Sequence, residues 1–475
     1  MPHCAEADYI IEIIGCVYRG DNPIAKGGGF LKMRLPLLFR GIVCVLALCL
    51  VMAGMSASGI NSGGNSPQAE APNRWLLLLY DDGDFDNGFD ALYAFASEAY
   101  AHTYLDVLVL QDNFTSPAMI WQIGSSHQLI PRKYLGEINM ASPLSLEYFL
   151  KYAHSRYPDR RTILCFYDHG AGCWGACIDE TNTTMDPTGP SILSLSGMRQ
   201  ALEKTKPVDL ICFTAPCNMG SLEAAYELRR QTEAYVGSEN TSGYVIWFGT
   251  IRFICDTLKN HPDIDANELA QAVVANSAAD YRQYDPAGFE KYFTLSAVRC
   301  DDLDNAISSI RELTAAILGS QDESFSLLDQ ALGDIRIYST YYADIIDLFE
   351  EAMKRCQNPF LRSSFQSAAD AVRGAIMAKF YGAELPGSNG LNVYFPPPPN
   401  VGFSTGYGKL GISFAQDSGW FDFLNAYRMS RPMNTPLETL IPILQTDGLF
   451  LPPLGAEKLI PVRWINPARK DGVDK

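Results

Sequence analysis

A chain of 475 residues, 47% hydrophobic and 19% charged, carries enough apolar side chain for a large core, which excludes a disordered or fibrous protein. Its formal net charge of −17 and its lack of any basic run exclude binding to a phosphate backbone, so nucleic acid is not an expected partner. Of its 12 Cys, eight follow residue 58, too sparse a distribution for a disulfide scaffold.

The chain begins with 32 residues that have no place in a signal peptide, which points to a translation start at Met33. From Met33 to Ser58 it reads as a secretory signal: Arg34 and Arg40 form a basic flank, Gly41 to Ala53 an apolar stretch too short for a comfortable membrane span, and Ser56 and Ser58 supply small residues. The expected location is outside the cytoplasm of a bacterium, secreted or in the cell envelope, with a membrane contact only if the leader stays uncleaved. Residues 59–72, rich in Gly, Ser, Asn and Pro, form a linker.

Beyond the linker, residues 73–430 are expected to form the folded domain. Short apolar runs at Trp75 to Tyr80, Leu105 to Leu110, Thr162 to Tyr167, Val208 to Phe213 and Ala234 to Val236 read as strands. Helical patterns lie between them at Phe89 to Ala99, Ser194 to Lys204 and Ser221 to Arg230. This alternation predicts an α/β fold with a mostly parallel sheet flanked by helices on both faces, and ligands on such sheets bind beyond the carboxyl ends of the strands. Residues 301–385 read as a helical insertion, with helices at Leu303 to Leu318, Tyr341 to Cys356 and Phe365 to Phe380. A strand at Gly390 to Phe395 then returns the chain to the sheet, and the Pro-rich residues 431–475 form a C-terminal extension.

Two strand ends carry the chemistry. In TILCFYDHGAGCWG the strand ending at Tyr167 runs into His169, and in VDLICFTAPCNMGSLEAAYELR the strand ending at Phe213 runs into Cys217. Both side chains then emerge on one edge of the sheet, where an imidazole can take a thiol proton and the thiolate can attack a carbonyl. The amides of Gly170 and Cys217 are candidates to stabilise the oxyanion. The plainer alternative is a buried small Cys and a turn His with no joint role.

Several segments, in order, resemble the clostripain family of cysteine peptidases: LLYDDGDFDNGFDAL, FYDHGAGCWG with DET at 179–181, APCNMGSLEAAYELR, VGSEN at 236–240, YYADIIDLFEEA, SNGLNVYFP and SGWFDFLNAY. The resemblance spans residues 75–427 and implies a caspase-like fold, peptide-bond hydrolysis, His169 as catalytic His and Cys217 as nucleophile. Protein or peptide substrates follow from it. No cofactor is required on this reading, and calcium, on which some relatives depend, stays open.

The departures from the family pattern bear on specificity. Clostripain carries an Asp just before the nucleophile, in a phrase like FDAC, as part of an acidic pocket for Arg or Lys; here the phrase is FTAPC, with Thr214, Ala215 and Pro216. A buried cation without a partner is costly, so hydrolysis is not expected to be restricted to Arg and Lys sites, and smaller or apolar side chains are favoured. The expected substrate-binding residues are Ala215, Ser238 and Glu239, of which Glu239 could replace the missing carboxylate. The altered loop also leaves an alternative from another class, a catalytically silent relative that binds peptides or surface partners through the same cleft.

Other constellations have bland explanations. His169, Cys173, Cys177 and Cys217 lack the second paired motif of a structural zinc site, so no metal ligands are assigned, and Cys173 and Cys177 form a disulfide or are loop thiols without a role. The acidic run Asp81, Asp82, Asp84, Asp86 and Asp90 has Asn87 and Tyr93 where a calcium loop needs Gly and Glu, and reads as an exposed strand-to-helix loop with an Asp cap. Glu223 and Glu227, four apart after Cys217, read as a solvated helix face.

Overall fold

The structure, a computed structural model, describes residues 74–83, 91–113, 116–179, 191–242, 246–284, 289–339, 341–397 and 404–430. The leader, the linker, the C-terminal extension, and Asp84, Asp86 and Asp90 lie outside them. Among the described residues no helix is long and apolar enough to cross a membrane.

Five strands run parallel at the centre: β1 (Trp75–Asp82), β2 (Leu105–Asn113), β5 (Arg161–Tyr167), β6 (Val208–Phe213) and β7 (Thr232–Gly237). Antiparallel β3 (Ser116–Ile123) and β4 (Leu129–Gly136) extend the sheet beyond β2, while antiparallel β8 (Thr294–Arg299) and β11 (Ile376–Tyr381) extend it beyond β7. The resulting nine-stranded order is β11-β8-β7-β6-β5-β1-β2-β3-β4. The chain leaves β1 towards β2 and later returns on its other side with β5, so the strand order reverses at β1 and β5, where such sheets open a crevice.

Period-2 alternation sends the β1 side chains into two layers. Leu76, Leu78 and Tyr80 face one, and Trp75, Leu77 and Leu79 the other, all fully buried. The second layer is covered by α1 (Ala91–Glu98) and, later in the chain, by Phe248, Ile251 and Leu269 of two consecutive helices. The first is covered by α2 (Pro143–Arg156), α3 (Leu195–Glu203) and α4 (Leu222–Leu228). The two helices on the second layer are α5 (Ile246–Asn260) and α6 (Ala266–Tyr284). Burying one such aliphatic side chain contributes ~1.5–3 kcal/mol, which is why a strand with no exposed residue sits at the centre.

The C-terminal half adds α7 (Leu303–Gly319), α8 (Gln321–Ala331), α9 (Ile345–Arg355) and α10 (Pro359–Ala375) to the first layer. Three expectations are corrected here. The helix expected to run to Phe380 stops at Ala375, and Ile376 to Tyr381 is the edge strand β11 that returns the chain to the main sheet. The strand expected at Gly390 to Phe395 is β12 (Asn392–Tyr394), and it joins β9 (Ile337–Tyr338) and β10 (Tyr342–Asp344) in a separate three-stranded sheet. The helix expected from Tyr341 to Cys356 also begins later, at Ile345: Asp344 ends β10 and caps α9, accepting from the Ile346 and Asp347 amides at 3.1 Å each, so the segment divides into strand and helix. Three short helices close the described chain: α11 (Ser404–Tyr407), α12 (Ser413–Asp417) and α13 (Trp420–Met429).

Candidate active site

Strands β5 and β6 are neighbours with Cys165 opposite Cys212, so the turns that follow them leave the sheet side by side. His169 lies on the first turn and Cys217 on the second, and the two turns touch through their backbones. A methyl group built on Gly170 would lie 2.3 Å from the Cys217 carbonyl oxygen and 2.7 Å from its nitrogen. Only glycine permits that approach, and it puts the residue after His169 directly against Cys217. Among the described residues neither the Gly170 nor the Cys217 amide donates to a backbone carbonyl.

The His turn is held from below. The Cys177 amide donates to the His169 carbonyl at 3.0 Å, and the Ala171 amide to the Gly175 carbonyl at 2.8 Å. Tyr342, from the small sheet, donates its hydroxyl to the Ala171 carbonyl at 2.6 Å and lies 3.5 Å from Cys173 Sγ. Buried Asp168 accepts a short hydrogen bond from the Ile178 amide.

The Cys turn is fixed at three places. Asn218, in the left-handed region at φ 58°, donates its amide to the Asn240 carbonyl at 3.0 Å and accepts at Oδ1 from the Ser339 hydroxyl at 2.9 Å. Gly220 donates to the Ser238 carbonyl at 2.6 Å and accepts from the Asn392 amide at 2.8 Å. A side chain there would meet the Glu239 nitrogen at 2.6 Å. Helix α4 then opens with Ser221 as its cap, accepting from the Ala224 amide at 3.2 Å.

Cys217 is half-buried, whereas Cys165, Cys173, Cys177, Cys212, Cys255, Cys300 and Cys356 are buried, and all eight are free thiols. Of the two alternatives for Cys173 and Cys177, the structure has free thiols rather than a disulfide, and Cys173 faces the Tyr342 hydroxyl. Burial pushes the Cys217 thiol above its ordinary pKa; the Ser242 backbone works against that shift, and the charge of Asp168 adds to it. Burial thus disfavours the thiolate, so Cys217 would depend on a base to act as the expected nucleophile.

The expected substrate-binding residues lie at the ends of β6 and β7. Ala215 is buried in the layer shared with α1 and α5. The Ser238 hydroxyl donates to the Asn240 carbonyl and is 3.1 Å from the Thr294 hydroxyl. Glu239 is 1% exposed; burial and then the charge of Asp344 hold its carboxyl well above the usual range, with the Gly390 backbone opposing.

Two acidic readings are corrected. Glu223 and Glu227 are buried, not solvated: Glu223 accepts from the Tyr394 amide at 2.8 Å and the Tyr407 and Ser221 hydroxyls, and Glu227 from Arg199 and the Ser413 amide. These partners lie up to 186 residues away in sequence, so the tertiary fold overrides the surface reading. Asp81 and Asp82, expected in an exposed loop, are buried at the end of β1 because the strand continues through them, paired to Gln111 and Asp112 of β2. Among the described residues no three His, Cys, Asp or Glu side chains are grouped to hold a metal ion.

The family model that matches residues 95–371, more than half of the chain, is that of the clostripain family. The chain belongs to the clostripain family. Solved structures agree on the fold. An inactive zymogen C11 protease from Parabacteroides distasonis is 16% identical, with 73% of this chain and 99% of that chain covered at a TM-score of 0.56. A secreted C11 cysteine protease from Bacteroides thetaiotaomicron, in complex with an irreversible peptide inhibitor, is 16% identical, with 74% of this chain and 100% of that chain covered at a TM-score of 0.53. No curated protein matches. The caspase-like α/β arrangement expected for a clostripain-family chain is therefore the one this sheet adopts.

One residue of this clostripain-family site was not singled out by the sequence. Ser242, two residues past VGSEN, donates its amide to Cys217 Sγ at 3.2 Å. A lone Ser in a Thr-Ser-Gly stretch gives no signal of that contact.

Proposed function

We propose that this clostripain-family protein is an exported cysteine endopeptidase that hydrolyses peptide bonds through Cys217 and His169. The observation that carries the reading is the contact of Gly170 with the Cys217 backbone, which joins the His turn to the Cys turn at the ends of adjacent strands. The His169 imidazole takes the thiol proton, and Sγ attacks the scissile carbonyl. The oxyanion is received by the Gly170 and Cys217 amides. Collapse expels the amine, which leaves with the proton from the imidazolium, and a thioester remains. Water attacks the thioester with His169 again as base, releasing the acid and restoring the thiol.

Export rests on the signal-peptide grammar of residues 33–58, and the secreted Bacteroides protein of the same fold, bound to a peptide inhibitor, is in keeping with it. Specificity not restricted to Arg and Lys is supported by FTAPC, where Thr214 and Ala215 offer no charge. Glu239 does not supply one readily: burial and then the charge of Asp344 oppose ionisation of its carboxyl, which weakens it as a partner for a cation. Ala215, Ser238 and Glu239 shape the substrate side of the turn on this reading.

The test is hydrolysis of a diverse peptide library by residues 59–475, beside Cys217→Ala and His169→Ala, under reducing conditions with calcium or with a chelator. Cleavage lost in both variants supports the thiol peptidase, and strong preference for basic peptides overturns the specificity reading. No cleavage by the wild type in either condition favours a peptide-binding relative without activity.

A further inference from the structure

The loop that follows β7 reaches across the sheet edge to the thiol. The Ser242 amide donates to Cys217 Sγ at 3.2 Å, and the Ser242 carbonyl lies 3.8 Å from the same sulfur. Its hydroxyl donates a short hydrogen bond to the carbonyl of Thr214, three residues before the nucleophile. One residue therefore grips the turn on its upstream side and the sulfur itself. Two further links secure the loop's base: the Asn218 amide to the Asn240 carbonyl at 3.0 Å, and Asn240 Nδ2 to the Tyr292 carbonyl at 2.9 Å.

From this geometry we infer that Ser242 is a positioning residue for the nucleophile, its amide stabilising the thiolate and its hydroxyl holding that amide in place through Thr214. The inference rests on the peptidase reading but uses a different atom from the dyad. When the thiol proton passes to His169, the negative charge formed on Sγ meets an N–H already aimed at it, and a hydrogen bond to an ion is roughly twice as strong as one to a neutral group. The amide keeps its proton throughout. It lowers the thiol's pKa against the opposing effects of burial and Asp168. The titratable groups on the elements packed around the sulfur are Asp168 and His169 on the β5 turn and Glu239 on the β7 segment; Ser339, from the small sheet, is uncharged.

The test reads the thiol directly. Alkylation of Cys217 by iodoacetamide in residues 59–475, which lack Cys4, Cys16, Cys44 and Cys49, followed by mass spectrometry between pH 5 and 10, gives the midpoint of thiolate formation, and the buried state of the other seven cysteines keeps the signal specific. Ser242→Pro, which removes the amide hydrogen, is expected to raise that midpoint by about one pH unit, a tenfold loss of thiolate at a given pH. Ser242→Ala keeps the amide but loses the Thr214 link; it should alkylate several-fold more slowly at pH 7, and Ser242→Thr should restore the rate. A folded Ser242→Pro chain with the wild-type midpoint overturns the inference. If that variant does not fold, Ala and Thr variants that both match the wild type overturn it instead. A purely structural role would lower the melting temperature without moving the midpoint. Failure of the peptidase reading would appear separately, as hydrolysis that survives Cys217→Ala or is absent from the wild type, with the alkylation midpoints untouched.

Discussion

The Tyr342 hydroxyl donates to the Ala171 carbonyl, 171 residues earlier in the chain, at 2.6 Å, so a strand of the small C-terminal sheet holds the turn that carries His169. Tyr342→Phe deletes that bond and its contact with Cys173 while preserving the ring. The Trp174 amide still reaches the same carbonyl at 3.2 Å, so the cost in stability should be only about 1 kcal/mol by urea unfolding. The larger effect should be on kcat, which falls while KM is little changed, because the His turn loses its support but the substrate walls do not. Unchanged kcat would remove Tyr342 from any positioning role.

Gly170 gives a sharper prediction. Alanine there would need space already occupied by the Cys217 backbone, so one of the two turns must move. A displacement near 1 Å at a reacting centre costs about 100-fold in rate, and Gly170→Ala should lose at least that much of kcat/KM. Gly374→Ala is the matched control: a methyl on that α10 glycine meets nothing within 4 Å, and it should raise stability by ~0.5–1 kcal/mol with activity intact. Equal activity in both variants would show that the turns can separate without consequence.

Burial pushes the Glu223 carboxyl up to about 7 from its ordinary 4.5. Below pH 4.5 the group is protonated whether the chain is folded or not. Between pH 4.5 and 7 the unfolded chain releases a proton that the folded chain keeps, so this residue makes stability fall as pH rises, by about 3 kcal/mol in all. Glu223→Gln removes the titration, and whatever its offset, the variant should gain up to about 3 kcal/mol relative to wild type between pH 4.5 and 8 in urea unfolding. Buried Asp344, also pushed to about 7, titrates in the same window in both proteins and cancels in the comparison. A constant difference across that range would refute the assignment.

The parallel core was legible because its signals are local. The five expected strands all occur, with ends within two residues except at β2, which continues past Leu110 through Gln111, Asp112 and Asn113, whose polar side chains hid its end. The positions of His169 and Cys217 at adjacent strand ends followed from the same runs. The antiparallel pair β3 and β4 was missed because SPAMIWQI and LIPRKYLG mix Pro, Arg and Lys into the strand, as edge strands do. The start of α10 was legible in principle: Asn358 caps it, accepting from the Phe360 and Leu361 amides, and Pro359 sits at its first position. The burial of Glu223 and Glu227 was not, because no spacing within α4 shows that Tyr394, Tyr407 and Ser413 will arrive above it. The Ser242 contact is of the same kind, made across the sheet by a loop with no pattern of its own.

The Gly220 carbonyl, three residues past Cys217, takes its hydrogen bond from Asn392, 172 residues further on. A ribosome must therefore make nearly the whole domain before the thiol's turn can be completed. The Ser339 and Tyr342 links to the Cys and His segments become possible some fifty residues earlier, and the Asn392 link comes last. Order of synthesis alone thus delays assembly of the site until Asn392 has been made, a timing that would spare the cell making it.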